Sequence, residues 1–178
     1  MKSASNSAEV LPDEDKYTVT LLNDTFRRPR DRWAVWQSGS DNKIKFAFDP
    51  AGFSAGSGSQ VIDCSLDVKK QSGLFTSNIP CKGKKKLLVS SMVKVSENTN
   101  YDALVRVSGN FLDANKKVIS GAVQPYADHP EVRDGKWRRV VFITDVPAGA
   151  EYLRVSLTSR RAVPGKIWFD DVQVKAMP

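Results

Sequence analysis

The sequence of 178 residues predicts an all-β fold, an antiparallel β-sandwich of the jelly-roll type with two sheets. From Tyr17 onward, short runs alternate apolar with polar residues or are rich in β-branched residues, and no run has helical periodicity. Glycine, proline, asparagine and aspartate separate the runs, as at residues 49–52 and 146–149. About eleven short strands divided by such turns are typical of a sandwich or jelly roll.

The predicted strands follow one another at short intervals. In chain order they cover residues 17–22, 33–37, 43–48, 60–68, 73–77, 87–95, 101–112, 117–123, 137–144, 151–160 and 165–175. Residues 1–16 are polar, small and acidic and show none of this patterning. We therefore interpret them as a flexible linker or tag remnant that precedes a single domain at residues 17–178.

The run 151–160 shows most clearly which face of its strand is buried. In the run 151–160, aliphatic residues alternate with polar or charged ones. Because successive side chains of a strand point to opposite faces, the aliphatic set faces the core, and Tyr152, Arg154 and Arg160 share the other face. Arg106, in the run 101–112, belongs to the same face if its strand lies in the same sheet.

Composition favours binding over catalysis. One histidine and two cysteines argue against a multi-ligand zinc site. No apolar run approaches the roughly 20 residues of a membrane-spanning helix. Two lysines against four carboxylates give residues 1–16 a net charge of −2, so the +7 of the chain becomes +9 on the domain. A basic surface attracts anionic partners, but no nucleic-acid-binding motif is present, so we expect neither nucleic acid nor a membrane as a partner.

Several motifs, taken in order, resemble those of CenC-type carbohydrate-binding modules, which have a galactose-binding-like jelly roll. The segments that carry the resemblance are residues 21–26 (LLNDTF), 33–36 (WAVW), 77–83 (SNIPCKG), 111–119 (FLDANKKVI), Trp137, 146–150 (VPAGA) and 167–172 (IWFDDV). The similarity covers nearly the whole chain from about residue 17 and implies the fold more specifically than the function.

The resemblance implies a non-catalytic module that binds polysaccharide and belongs to a larger secreted polysaccharide-degrading enzyme. It also implies a structural calcium ion between the first strand and the final Asp-Asp-Val strand. Asp24 and either Asp170 or Asp171, of which we favour Asp171, would supply carboxylates, joined by backbone carbonyls near residues 23–26. The sequence departs from the family where Arg27 replaces the acidic residue that usually follows the first-strand phenylalanine.

Sugar binding needs aromatic planes for the apolar faces of the rings and polar groups for the hydroxyls, and acidic sugars also need arginine. Trp33, Trp137 and Trp168 are interpreted as core residues. The candidate binding residues are Trp36, Tyr101, Arg106, Tyr126, Arg139, Tyr152, Arg154 and Arg160. The +9 charge of the domain favours an anionic polysaccharide.

Two alternatives remain open. One is a structural or adhesion β-sandwich without a sugar site; the other is a jelly-roll polysaccharide lyase, for which Gln124, Tyr126, His129 and Arg133 lie close together in the sequence. Cys64 and Cys81 each border a predicted strand, and in a secreted protein we expect them to form a disulfide.

Overall fold

The computed structural model describes residues 11, 13–28, 32–37, 44–64, 71–97, 105–119, 124–129, 134–159 and 165–178. Within these residues the chain forms a short 3-10 helix at Glu14–Lys16 and twelve strands. The strands are β1 (Val19–Asp24), β2 (Trp33–Gln37), β3 (Lys45–Asp49), β4 (Ser59–Asp63), β5 (Ser72–Thr76), β6 (Ile79–Pro80), β7 (Lys86–Val95), β8 (Val105–Leu112), β9 (Tyr126–Asp128), β10 (Arg138–Asp145), β11 (Tyr152–Ser159) and β12 (Lys166–Ala176).

The strands form two antiparallel sheets. Sheet A has the order β10-β7-β12-β4-β3, with β1 also pairing with β12. Sheet B has the order β2-β5-β11-β8-β9, with β6 pairing with β11. The two sheets enclose one apolar cluster, to which β11 contributes Leu153 and Val155 and sheet A contributes Val89 and Phe169. This arrangement confirms the predicted all-β sandwich.

The alternation in β11 has the predicted consequence. Its aliphatic residues Leu153, Val155 and Leu157 are completely buried, while Tyr152 and Arg154 lie on the other face and are half-buried. Each fully buried aliphatic side chain contributes about 1.5–3 kcal/mol relative to an exposed one. This burial fixes which face of β11 points away from the core.

The strands differ from the predicted list at three places. The run 117–123 is not a strand over its described part, where Val118 forms only an isolated bridge to Leu112. Instead, β9 pairs with β8, and the two-residue β6 pairs with β11. Strands of two or three residues are too short to show a periodic pattern, so only the tertiary pairing reveals them.

Two of the three tryptophans interpreted as core lie elsewhere. Trp33 is buried, as predicted, but Trp137 and Trp168 are only half-buried. The Lys94 ammonium lies 4.3 Å from the Trp168 ring centroid and 5.2 Å from that of Trp137. Trp168 faces outward because its neighbours Ile167 and Phe169 are the inward residues of β12.

The predicted Cys64–Cys81 disulfide is wrong. Neither cysteine forms a disulfide, and both are buried. The Cys64 sulfur lies 3.9 Å from Ser72 Oγ, beside the end of β11, whereas the Cys81 amide donates to the Glu151 carbonyl at its start. Eight strand residues separate these ends by about 25 Å, far beyond the span of a disulfide. Burial raises the pKa of Cys81 to about 11, so this thiol is unreactive near neutral pH.

The end of the predicted linker contacts the domain. Glu14 accepts a hydrogen bond from Arg139 of β10, and this bond lowers the pKa of the Glu14 carboxyl. The interpretation of residues 1–16 as a linker or tag remnant stays a prediction.

In the part of the chain that the structure describes, no helix is long and apolar enough to cross a membrane.

Candidate functional site

The candidate site is a groove on the outer face of sheet B. Its volume is about 220 Å³. The lining residues come from β2, β8 and β11 and from the segments that precede β5 and β9, and all are neutral: Trp36, Gln71, Ser108, Asn110, Gln124, Ser156 and Thr158. The groove therefore offers one large aromatic surface together with amides and hydroxyls.

Gly73 makes room for the Trp36 indole. In the register of sheet B, Gly73 lies between Trp36 of β2 and Thr158 of β11. A Cβ at position 73 would lie 2.7 Å from Trp36 Nε1 and 2.8 Å from the Leu157 carbonyl oxygen, closer than real contacts allow. Only glycine lets the indole lie across β5 towards the centre of the sheet.

The polar side of the groove comes from adjacent positions of β8 and β11. Ser108 pairs with Ser156, and Asn110 pairs with Arg154. Gln124 Nε2 lies 3.5 Å from Ser108 Oγ. Amides and hydroxyls each donate and accept, which matches the dual hydrogen bonding of sugar hydroxyls.

Tyr126 forms the far end of the face, on edge strand β9. Its side chain is 51% exposed, and the Arg106 guanidinium carbon lies 3.6 Å from its ring centroid. Arg106 also donates to both carboxylate oxygens of Asp128, at 2.6 and 2.9 Å, and the Asp128 hydrogen bond raises the pKa of the Arg106 guanidinium. The arginine predicted as an oxyanion donor is thus paired with a carboxylate and supports the tyrosine ring.

Arg154 lies beside the groove, opposite Asn110. Arg106 and Arg154 lie on neighbouring strands of one sheet and on the same face, as the sequence analysis allowed. Arg154 Nη2 donates to Asn78 Oδ1 at 3.2 Å, and its Nε has no hydrogen-bond partner among the described residues. Its guanidinium carbon lies 5.5 Å from the Phe75 ring centroid, and no described carboxylate forms an ion pair with it.

The remaining predicted binding residues lie outside this groove. Tyr152 shares the outer face but pairs with Leu112, beyond Arg154. Arg139 lies in sheet A, on the opposite side of the sandwich, where it contacts Glu14. Tyr101 and Arg160 lie outside the described residues.

Of the residues considered for a lyase, Gln124 lines the groove, whereas His129 is buried. His129 is 8% exposed, while Tyr126 is on the surface with one ring face against Arg106. Arg133 lies outside the described residues.

The expected calcium ligands already accept hydrogen bonds. The Asp24 carboxylate accepts from the Phe26 amide and from Trp33 Nε1, both at 2.9 Å. Asp171 Oδ1 accepts from Gln173 Nε2 at 2.8 Å. Among the described residues, no group of three or more His, Cys, Asp or Glu side chains could hold a metal ion. Three arginines line the hollow beside Asp24, so this donor set fits calcium poorly.

The sequence analysis missed most of the polar lining. Ser156 and Thr158 alternate with the core residues of β11, so the same pattern that placed Arg154 outward also predicted their orientation. Ser108 showed a weaker version of this alternation, opposite Val105 and Val107, and the role of Ser108 and Asn110 depends on β8 lying beside β11.

No protein-family model matches the sequence, and no curated protein sequence matches it. Solved structures resemble the fold. The enzymatically active domain of tailspike protein 4 from bacteriophage CBA120 has a TM-score of 0.66 and 17% identity, over 82% of this chain and 19% of that one. The CBM22-1 xylan-binding domain of Paenibacillus barcinonensis has a TM-score of 0.58 and 13% identity, over 89% and 94%.

A third similar structure contains the CBM22-1 and GH10 modules of xylanase 10B from Clostridium thermocellum, complexed with xylohexaose. Its TM-score is 0.60 and its identity 18%, over 90% of this chain and 29% of that one. The chain therefore spans less than a third of the tailspike and xylanase chains. The resemblance to CenC-type modules in particular stays a prediction. At these identities the likeness shows the fold: a jelly-roll β-sandwich of the kind found in carbohydrate-binding modules.

Proposed function

We propose that this protein is a non-catalytic carbohydrate-binding module that holds a polysaccharide chain across the outer face of sheet B. The observation that carries the proposal is the groove itself, in which an indole seated over Gly73 faces a row of neutral amides and hydroxyls. Apolar ring faces stack on such an indole, and the polar row bonds the hydroxyls of the same sugars.

The dimensions of the face suit a chain rather than a single sugar. Trp36 and Tyr126 lie on the two edge strands of the β2-β5-β11-β8-β9 order. Four strand spacings of about 4.8 Å place these edges about 19 Å apart, a length that several consecutive sugar rings would cover. A chain bound in this way runs across the strands, with both of its ends free.

We further propose that the preferred polysaccharide is anionic, because Arg154 borders the groove without a described carboxylate partner and the chain carries a net charge of +7. A partly exposed ion pair of this kind contributes about 1 kcal/mol. Together with aromatic stacking, it predicts dissociation constants in the micromolar-to-millimolar range and binding that weakens with salt.

Attachment to a larger secreted polysaccharide-degrading enzyme is part of the same proposal. It is supported by the xylanase structure, in which the similar module is joined to a GH10 module. The alternative of a structural module without a sugar site makes the opposite prediction in the binding experiment below.

The structural calcium ion that the resemblance implies is not part of this proposal, and a melting experiment tests it. If the ion is present, a chelator lowers the melting temperature and Asp171→Ala removes that dependence. Because the donor set around Asp24 fits the ion poorly, we expect the melting curves with chelator and with added calcium to coincide. A fall of several degrees on chelation would instead support calcium.

The experiment is calorimetric titration against alginate, pectin, xylan and a mixed-linked glucan, each at low and at high salt. We expect binding to at least one of them, with the acidic polymers favoured and weakened by salt. Arg154→Gln should weaken binding of the acidic polymers and leave the neutral ones unchanged. Failure with every polymer would contradict the proposed function, and salt-insensitive binding to xylan alone would contradict the anionic preference.

A further inference from the structure

A second hollow lies at the end of β1 and shares no lining residue with the groove. Its volume is about 330 Å³, and its lining consists of Asn23, Asp24, Thr25, Phe26, Arg27, Arg28 and Arg32. We propose that this hollow, here called the arginine hollow, binds an oxyanion, the sulfate or carboxylate group of an acidic glycan.

The floor of the arginine hollow is held by a network around Asp24. Its two carboxylate oxygens accept hydrogen bonds from the Phe26 amide and from Trp33 Nε1. Phe26 is 2% exposed, has a φ of 44° and packs against the Trp33 ring, with 5.5 Å between centroids. A bulky residue rarely adopts a positive φ, so the network holds this turn in one defined conformation.

The backbones of two arginines are also anchored. The Arg28 carbonyl accepts from Gln60 Nε2 at 3.3 Å, and Gln60 is buried in sheet A. The Arg32 carbonyl accepts from the Ser77 amide at 2.9 Å, which ties it to the end of β5. Arg27 adjoins Phe26, so all three arginines project from backbone that the fold keeps in place.

The charge of the hollow is positive, because its three arginines outnumber Asp24, the one carboxylate among its lining residues. None of the three arginines forms an ion pair with a described acidic residue, and both oxygens of Asp24 already accept N–H donors. The side chains of all three arginines are exposed to solvent. Guanidinium groups bind the paired oxygens of carboxylate and sulfate through two parallel hydrogen bonds, which makes arginine better suited than lysine to such groups.

The location of the arginine hollow favours a glycan as the source of the oxyanion, and this part of the inference rests on the proposed function. Arg32 directly precedes β2, and Trp36 of the groove is four residues further along that strand. At about 3.3 Å per residue, the arginine hollow lies about 13 Å from that end of the groove. An acidic polysaccharide at the Trp36 edge thus lies within reach of a second, charge-selective contact.

The test compares two double variants that remove the same charge. Arg27→Gln with Arg28→Gln changes the arginine hollow, and Lys84→Gln with Lys85→Gln is the matched control in another basic segment. Dextran sulfate, unmodified dextran, inorganic sulfate and a DNA oligonucleotide are titrated at one constant ionic strength.

We expect the arginine double variant to bind dextran sulfate about tenfold more weakly, while the lysine control retains most of the affinity. Equal losses in both double variants would overturn the proposal in favour of a diffuse charge effect. The proposal would also be overturned if inorganic sulfate or DNA bound as tightly as dextran sulfate. Binding of neutral polysaccharide in the previous experiment reports on the groove separately, so failure of either proposal can be recognised by itself.

Discussion

Trp36→Ala is expected to lower the affinity for polysaccharide about thirtyfold, the effect of losing about 2 kcal/mol from a central aromatic contact. The indole is the one large aromatic surface of the groove, and its position over Gly73 exists before any ligand arrives. Its loss removes the stacking surface and leaves only polar groups that water also satisfies. Calorimetric titration with the best polysaccharide of the panel measures the change.

Phe53→Ala is the matched control for this variant. Phe53 is an aromatic residue that is 44% exposed and lies between β3 and β4, away from sheet B. We expect unchanged affinity in this control and an unchanged melting temperature in both variants. Equal affinity of Trp36→Ala and the unmodified protein would contradict the assignment of the groove as the sugar site.

Asp170→Ala is expected to destabilise the fold by about 3 kcal/mol, because it removes a buried carboxylate that accepts four hydrogen bonds. Asp170 is completely buried. Its Oδ2 accepts from the amides of Ser54 and Ala55, each at 2.8 Å, and from Ser54 Oγ at 2.9 Å, and its Oδ1 accepts from the Asp171 amide at 2.7 Å. This one carboxylate ties the loop after β3 to the middle of β12.

Urea unfolding followed by tryptophan fluorescence measures the loss. Asp145→Ala is the control, since Asp145 is exposed and its 3.6 Å ion pair with Lys86 contributes little. If Asp170→Ala does not fold, Asp170→Asn keeps the shape and one acceptor oxygen and should fall between the two. A midpoint for either Asp170 variant equal to that of Asp145→Ala would show that the loop is held by other contacts.

Asp170 also lies at a register shift in the pairing of β12 with β7 that no sequence pattern predicted. The pairing of β12 with β7 shifts register between Asp170 and Gln173, and Asp171 has a φ of 45°. The resemblance of the Asp-Asp-Val segment implied a calcium ligand here, with Asp171 favoured over Asp170. Only the structure shows that Asp170 turns inward to accept amide hydrogens from a loop more than a hundred residues earlier in the chain.

The alternating pattern of the chain determined the fold class and the faces of single strands. Leu153, Val155 and Leu157 had to face a core because aliphatic side chains gain free energy by leaving water, and strand geometry then forced Arg154 to the other face. Most strand positions followed from the same pattern and from the turn residues between them. These are local properties, and each can be seen in a window of a few residues.

The tertiary structure decided which strands are neighbours and therefore what the site contains. β11 lies between β5 and β8, and this order brings Trp36, Asn110 and Ser156 to one groove. Arg139 lies in the opposite sheet, because β10 pairs with β7. Cys64 and Cys81 lie near opposite ends of β11. Strand order in a sheet depends on contacts between residues far apart in the chain. Alternation tells which side of a strand is buried, but it carries no information about which strand lies beside it.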